Sequence, residues 1–186
     1  MKSFAHFATT KAMGKGSTQV QHLVETEVPP RLLEEWLALW SEVNDLPGGL
    51  RVRLRPHSAG SELLELSVLR GDTVVAHVVF ATIQDRRGKN ILSIRDQETM
   101  DQSLRRKRSM TLLHLFLLHR YKVVSVHYVS PTDDNEAAAT GMQSLGIFGE
   151  VNVEVGHIIV AEVNPERVRS LLNPKREELG KLISKS

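Results

Sequence analysis

The stretch Leu104–Arg120, LRRKRSMTLLHLFLLHR, decides how the rest of the chain is read. Four cations in a row, Arg105, Arg106, Lys107 and Arg108, stand before Ser109 and Met110. An apolar run from Thr111 to Leu118 follows and closes on His119 and Arg120. The run predicts a helix ending near Arg120, with the basic cluster at its head. A helix N-terminus already carries roughly half a positive charge, so cations there are slightly unfavourable. A bound anion would offset them.

Upstream, SIRDQETMDQ carries the chain from a strand through a polar loop into this helix. Downstream, KVVSVHYVS (Lys122 to Ser130) is a short β-branched run of the kind found in buried strands, stopped by Pro131. Strand, helix and strand in that order predict one parallel crossover. The chain before it reads differently. PPRLLEEWLALWSEVND places Leu32, Leu33, Trp36, Leu37, Leu39 and Trp40 at helical spacing, with Pro tolerated in the first turn. LRVRLRP (Leu50 to Pro56) alternates like a half-exposed strand. Glu62–Arg70 and Thr73–Gln84 form the arms of a hairpin turning at Gly71-Asp72, and Asn90–Asp96 is the next strand. After the crossover, DDNEAAATGMQSLG reads as a helix capped by Asp133 or Asp134 and closed by Gly146. Strands near Phe148–Val153 and His157–Val163 follow, then two short helices, each opened by Asn-Pro. The predicted fold is α/β (α+β): a mixed, mostly antiparallel sheet flanked by helices.

Composition sets the outer limits. The chain has 186 residues, of which 41% are hydrophobic and 25% charged, enough to bury a core. Its net charge of +2 is nearly balanced, so the basic cluster reads as a local site and a nucleic-acid partner is not expected. There is no Cys, which removes disulfides, thiolate chemistry and Cys-based zinc sites. No secretory signal or membrane-length apolar run is visible, and a cytoplasmic protein is expected. Residues 1–28 lack periodicity and read as a linker or tail, with the folded domain over 29–186.

The candidate site is the loop-to-helix junction. Backbone N–H groups at a helix N-terminus collect phosphate, and Arg forks suit its oxygens. These residues alone do not separate an anion site from a solvated basic patch on the first helical turn. Other candidates are weaker. His114 and His119 are five apart, outside the spacing of a helical metal pair, and no metal site is expected. Gly14-Lys15-Gly16-Ser17-Thr18 lacks P-loop spacing and reads as linker. Trp36 and Trp40 read as core or an oligomer contact, and His127, in the strand leading to Ser130, as a core or boundary residue, with the lining of an acyl pocket as the weaker alternative.

The strand–loop–helix order resembles the acyl-CoA-binding core of the GNAT acetyltransferase fold. That family writes its pyrophosphate loop R/Q-x-x-G-x-G/A. Here Arg105 matches, while Arg108 and Met110 stand where the family has Gly. A second family element, N-x-x-A-x-x-L-Y-x-x-x-G-F, keeps its spacing over Asn135, Ala138, Gly141, Met142, Gly146 and Ile147, with Asn135, Ala138 and Gly146 identical. Met142 takes the place of the family's acid, a Tyr. A thioether donates no proton, so the resemblance implies binding of an acyl-CoA without transfer.

A more specific resemblance covers roughly Leu63 to Asn164. IQDRRGKNILSIRDQ, LRRKRSMTLLHLFLLHRYKVVSVHYVSPTDDN and GIFGEVNVEVGHIIVAEVN look like the C-terminal extension of the long form of isocitrate lyase. Thr9 to Leu23 is similar to the tail of the lyase barrel that precedes it. The lyase motif Lys-Lys-Cys-Gly-His is absent. The resemblance implies a regulatory module of an isocitrate lyase that senses acetyl-CoA or propionyl-CoA, with no catalytic residue of its own. It implies the lyase catalytic domain and further copies of the chain as partners. The site it implies places the pyrophosphate at Arg105, Arg106, Lys107, Arg108, Ser109, Met110 and Thr111. The pantetheine runs along Leu92, Ser93, Ile94 and Arg95, and the acyl end lies near Ser130 with Asn135 across the cleft. An active N-acetyltransferase and a purely structural oligomerisation domain are the alternatives.

Overall fold

The computed structural model describes residues 30–60 and 62–172. The predicted linker, the stretch similar to a barrel tail and the last predicted helix lie outside the described residues. Twelve elements follow in order: α1 (Pro30–Asn44), β1 (Leu50–Pro56), β2 (Leu64–Arg70), β3 (Thr73–Gln84), β4 (Asn90–Thr99), a 3-10 turn (Gln102–Leu104), α2 (Ser109–Arg120), β5 (Val123–Val129), α3 (Asp133–Ser144), β6 (Val151–Glu154), β7 (His157–Val160) and α4 (Pro165–Leu172). The strands form one sheet in the order β1-β2-β3-β4-β5-β7-β6. Every neighbouring pair is antiparallel except β4–β5. The sheet is therefore mixed and mostly antiparallel, as the sequence predicts.

The single parallel pair dictates what lies between its strands. Parallel neighbours cannot be joined by a tight turn, so the chain must cross over the sheet. That crossover is α2, and it lands on the face carrying Phe80, Leu92, Ile94, Val126 and Tyr128, all buried. The Phe80 ring meets Tyr121 at the end of α2 at 5.6 Å, and Tyr128 stacks on His114 at 6.0 Å. On its outer side α2 meets α1, where Trp36 packs edge-on against Phe116 at 6.1 Å and His119 at 6.0 Å. Trp36 and Trp40 are core residues. With the sheet, α1 and α4 all against it, α2 is buried nearly all round, including Ser109, His114 and Arg120. Such a helix has no solvent face on which to carry charge.

This explains the first departure from the sequence reading. The helix does not begin within the cations; it begins at Ser109, and Arg105–Arg108 form the loop before it. The basic cluster is not on the first helical turn. Four smaller corrections follow. β4 runs to Thr99, three residues past the predicted end, because β3 continues to pair with it. The hairpin's first arm starts at Leu64. The last two strands are shorter than predicted, and Phe148 and Val163 meet only as an isolated bridge. The cap of α3 is Thr132, without a side-chain bond, while Asp133, Asp134 and Glu136 lie in the first turn, where their charge suits the helix dipole.

His114 is the buried polar residue with the clearest consequence. It is 0% exposed, and its Nδ1 lies 2.9 Å from the Met110 carbonyl. Burial pushes its pKa down to about 4, only partly countered by that bond. The unfolded chain takes up this proton near pH 6.5, before the folded one does. His114 therefore costs no stability above about pH 6.5 and progressively more as pH falls toward 4. His119 and His127, also shifted down by partial burial, act in the same direction. Urea unfolding at pH 7 and pH 5 is expected to show His114→Gln losing about 2 kcal/mol less than the parent chain across that interval. An equal loss in both chains would contradict this account of His114.

Candidate functional site

The parallel pairing of β4 with β5 stops early. It runs from Asn90 opposite Val123 to Ile94 opposite Tyr128. Beyond that point β5 stays with β7 through Val129, while β4 stays with β3 from Asp96 to Thr99. The register on β3 jumps between Phe80, opposite Ile94, and Val79, opposite Asp96. Arg95 is thus an extra residue, a bulge of the kind that bends a strand away from its neighbour. The edge of β4 facing β5 is open from Arg95 onward.

This shifts part of the predicted site. Leu92, Ser93 and Ile94 pair with both β3 and β5, so they present no free strand edge. Their side chains are buried, and Ser93 faces away from α2. Arg95 is exposed at the bulge. Ser130, on the other side of the gap, has φ 53°, and its N–H donates to the Gly156 carbonyl at 2.9 Å. Asn135, half-buried in the first turn of α3, accepts a hydrogen bond from Gln97 Nε2 at 2.6 Å. This bond spans the gap from β4 to α3. Gln97 was not foreseen in the sequence, where QETMDQ reads only as a polar loop. His127 lies on the opposite face from His114 and Tyr128, and its neighbour across β4 is Ser93. Met142 is 1% exposed in the core.

The basic loop closes the site on the α2 side. Asp101 caps the 3-10 turn by accepting from the Ser103 N–H at 2.8 Å, and it pairs with Arg70 at 2.7 Å. The Ser103 hydroxyl and backbone bonds, with the Arg70 charge, hold the Asp101 carboxyl below its usual range. From this anchor Arg105 donates through Nε to the Thr99 carbonyl at 3.1 Å, and Lys107 lies 3.7 Å from Asp45. Arg106 is exposed and has no ion pair among the described residues. Ser109 is turned inward, its hydroxyl 3.4 Å from the Leu104 carbonyl. Met110 and Thr111 are half-buried, with Met110 against the core.

Arg106 and Arg108 both adopt left-handed backbone, at φ 60° and 56°. Arg108 is the N-cap of α2, and its side chain makes no capping bond to the helix. The first N–H groups of a helix have no partners within it, and a left-handed turn before them adds to an anion-binding concavity. Arg108 keeps a glycine-like conformation. An L-residue there costs roughly 1–2 kcal/mol. Arg108→Gly is therefore expected to be about 1 kcal/mol more stable to urea than Arg108→Ala. Equal stability of the two variants would contradict a strained loop.

Two surface cavities of about 400 and 550 Å³ lie elsewhere, one by Gly146, Phe148 and Glu162, the other by Leu118, Lys122 and Arg169. Neither is lined by the basic loop or by β4. Among the described residues, no His, Cys, Asp and Glu group has the makings of a metal site. None of their helices is long and apolar enough to cross a membrane.

No protein-family model matches the chain. Across 179 residues, 96% of its length, it is 61% identical to an isocitrate lyase subunit of Mycobacterium tuberculosis, of which it covers 45%. The same identity and share hold against isocitrate lyase 2 of Mycobacterium tuberculosis and of Mycobacterium bovis, each covered to 23%. Among solved structures, AtaTR bound with acetyl-CoA overlaps 68% of this chain and 100% of its own, at 11% identity and a TM-score of 0.46. A likeness of that size says nothing about a site. The chain is closely similar to the C-terminal part of the mycobacterial isocitrate lyases and spans less than half of their length.

Proposed function

We propose that the chain is a regulatory acyl-CoA-binding domain of an isocitrate lyase. On this reading residues 1–28 link residues 29–186 to a lyase barrel. Acetyl-CoA or propionyl-CoA bound to the domain controls cleavage of isocitrate to glyoxylate and succinate. The lyase assignment is carried by the 61% identity across nearly the whole chain. The ligand class is supported by the open edge of β4 lying beside a cationic loop and an uncapped helix start.

The ligand's polarity follows from charge. The pyrophosphate goes to Arg105–Thr111, where the cations and the free N–H groups of α2 lie. It is kept from the α3 side by Asp133, Asp134 and Glu136. The uncharged pantetheine follows the edge of β4 beyond Ile94. The acyl end enters the gap between β4 and β5, with Asn135 on the far wall. Catalysis by this chain is not part of the reading, since Met142 is apolar and buried at the acid's position. Regulation requires that the ligand favour one arrangement of the whole protein, and a homo-oligomer in the cytoplasm is the proposed setting.

Calorimetric titration of the chain with acetyl-CoA is expected to give saturable heat. Arg105→Ala combined with Arg108→Gly, which removes two charges without straining the loop, is expected to bind about tenfold more weakly. No saturable heat with the unaltered chain at millimolar ligand would sink the reading and leave the loop as a surface for protein contact.

A further inference from the structure

Gln97 lies two residues beyond the bulge, opposite Val78 and so on the face that α2 covers. Its side chain is held at one end only. Nε2 donates to Asn135 Oδ1 at 2.6 Å, and with the two amides so turned Oε1 is left on the other side. Oε1 is buried and has no hydrogen-bond partner among the described residues. A desolvated acceptor without a donor is costly, and native structures rarely leave one without a reason. This acceptor sits where the edge of β4 is unpaired.

We propose that Gln97 Oε1 accepts a hydrogen bond from an amide N–H of the ligand's pantetheine arm, while Nε2 stays on Asn135. The inference rests on the acyl-CoA reading above and adds a residue to it. Pantetheine carries two secondary amides, each with one N–H donor. Phosphates and adenosine attach at the other end of the site, so Gln97 recognises the arm and not the charge. It therefore selects thioesters carried on pantetheine over nucleotides that share only the pyrophosphate.

The test is a cycle in the 186-residue chain. Acetyl-CoA and an analogue methylated at both pantetheine amide nitrogens are titrated into the unaltered chain, Gln97→Met and Gln97→Glu. The Met variant keeps the volume and loses the acceptor; the Glu variant keeps an acceptor, and Asn135 can turn its own N–H₂ toward it. The unaltered chain is expected to bind the analogue about tenfold more weakly than acetyl-CoA. Gln97→Met is expected to lose about the same factor for acetyl-CoA and nothing further for the analogue. Gln97→Glu is expected to stay within about threefold of the unaltered chain. Equal losses for both ligands in Gln97→Met, or none, would overturn the assignment. If that variant melts early, the two ligands on the unaltered chain decide, and equal affinity overturns it. Absence of acetyl-CoA binding by the unaltered chain is a different failure: the acyl-CoA reading falls, and this inference with it.

Discussion

The pairing of β4 with β5 is the constraint on which the rest depends. It is the one parallel junction in the sheet, and it lasts only from Asn90 to Ile94. Because it is parallel, a crossover must cover the sheet, and α2 becomes a buried helix. Because α2 is buried, the four cations before it must stay in the loop, where two of them adopt left-handed backbone. Because the pairing ends at Ile94, β4 and β5 keep different partners and leave a gap beside that loop. The basic loop, the gap and the helix start arise from one topological choice.

The polar groups left inside this arrangement are unevenly satisfied. Arg120 lies between aromatic rings, 5.8 Å from the Phe116 centroid and 5.6 Å from that of Tyr121. Glu65 is buried, yet bonds from Ser67 and Arg55 hold its carboxyl below the usual range. By contrast, His114 Nε2, the Tyr128 hydroxyl and Gln97 Oε1 have no partner among the described residues. Burial raises the Tyr128 pKa, so the phenol keeps its proton. Tyr128 and Gln97 lie on the same face, on either side of the point where the strands part. Two of these groups thus lie beside the gap, where a ligand has most to add, while another bare group, Arg53 Nε, lies on β1 at the edge of the sheet.

Much of this was legible in the residues themselves. The alternation of Leu50–Pro56 and the Gly71-Asp72 turn placed β1 and the β2–β3 hairpin to within two residues. Hydrophobic periodicity placed α1, and the β-branched run placed β5. The start of α2 was missed because cations are good helix formers locally, and only tertiary burial excludes them. The end of β4 was missed because Gln97, Glu98 and Thr99 read as loop until β3 pairs with them. The basic cluster was legible as a site candidate from charge alone. Gln97 was not, because what distinguishes it is a bond to a residue 38 positions away and an acceptor left bare. Sequence shows the charges a ligand would meet; it does not show which neutral acceptors the fold leaves unused.

The central claim is that the gap between β4 and β5 holds an acyl-CoA. The most direct measurement is the amide NMR spectrum of the isotopically labelled chain, recorded with increasing acetyl-CoA. The account predicts that the largest shifts fall on Arg95–Thr99, on Arg108–Leu112 and around Asn135, with β1 and β6 nearly still. Shifts confined to other parts of the chain, or none at saturating ligand, would contradict it.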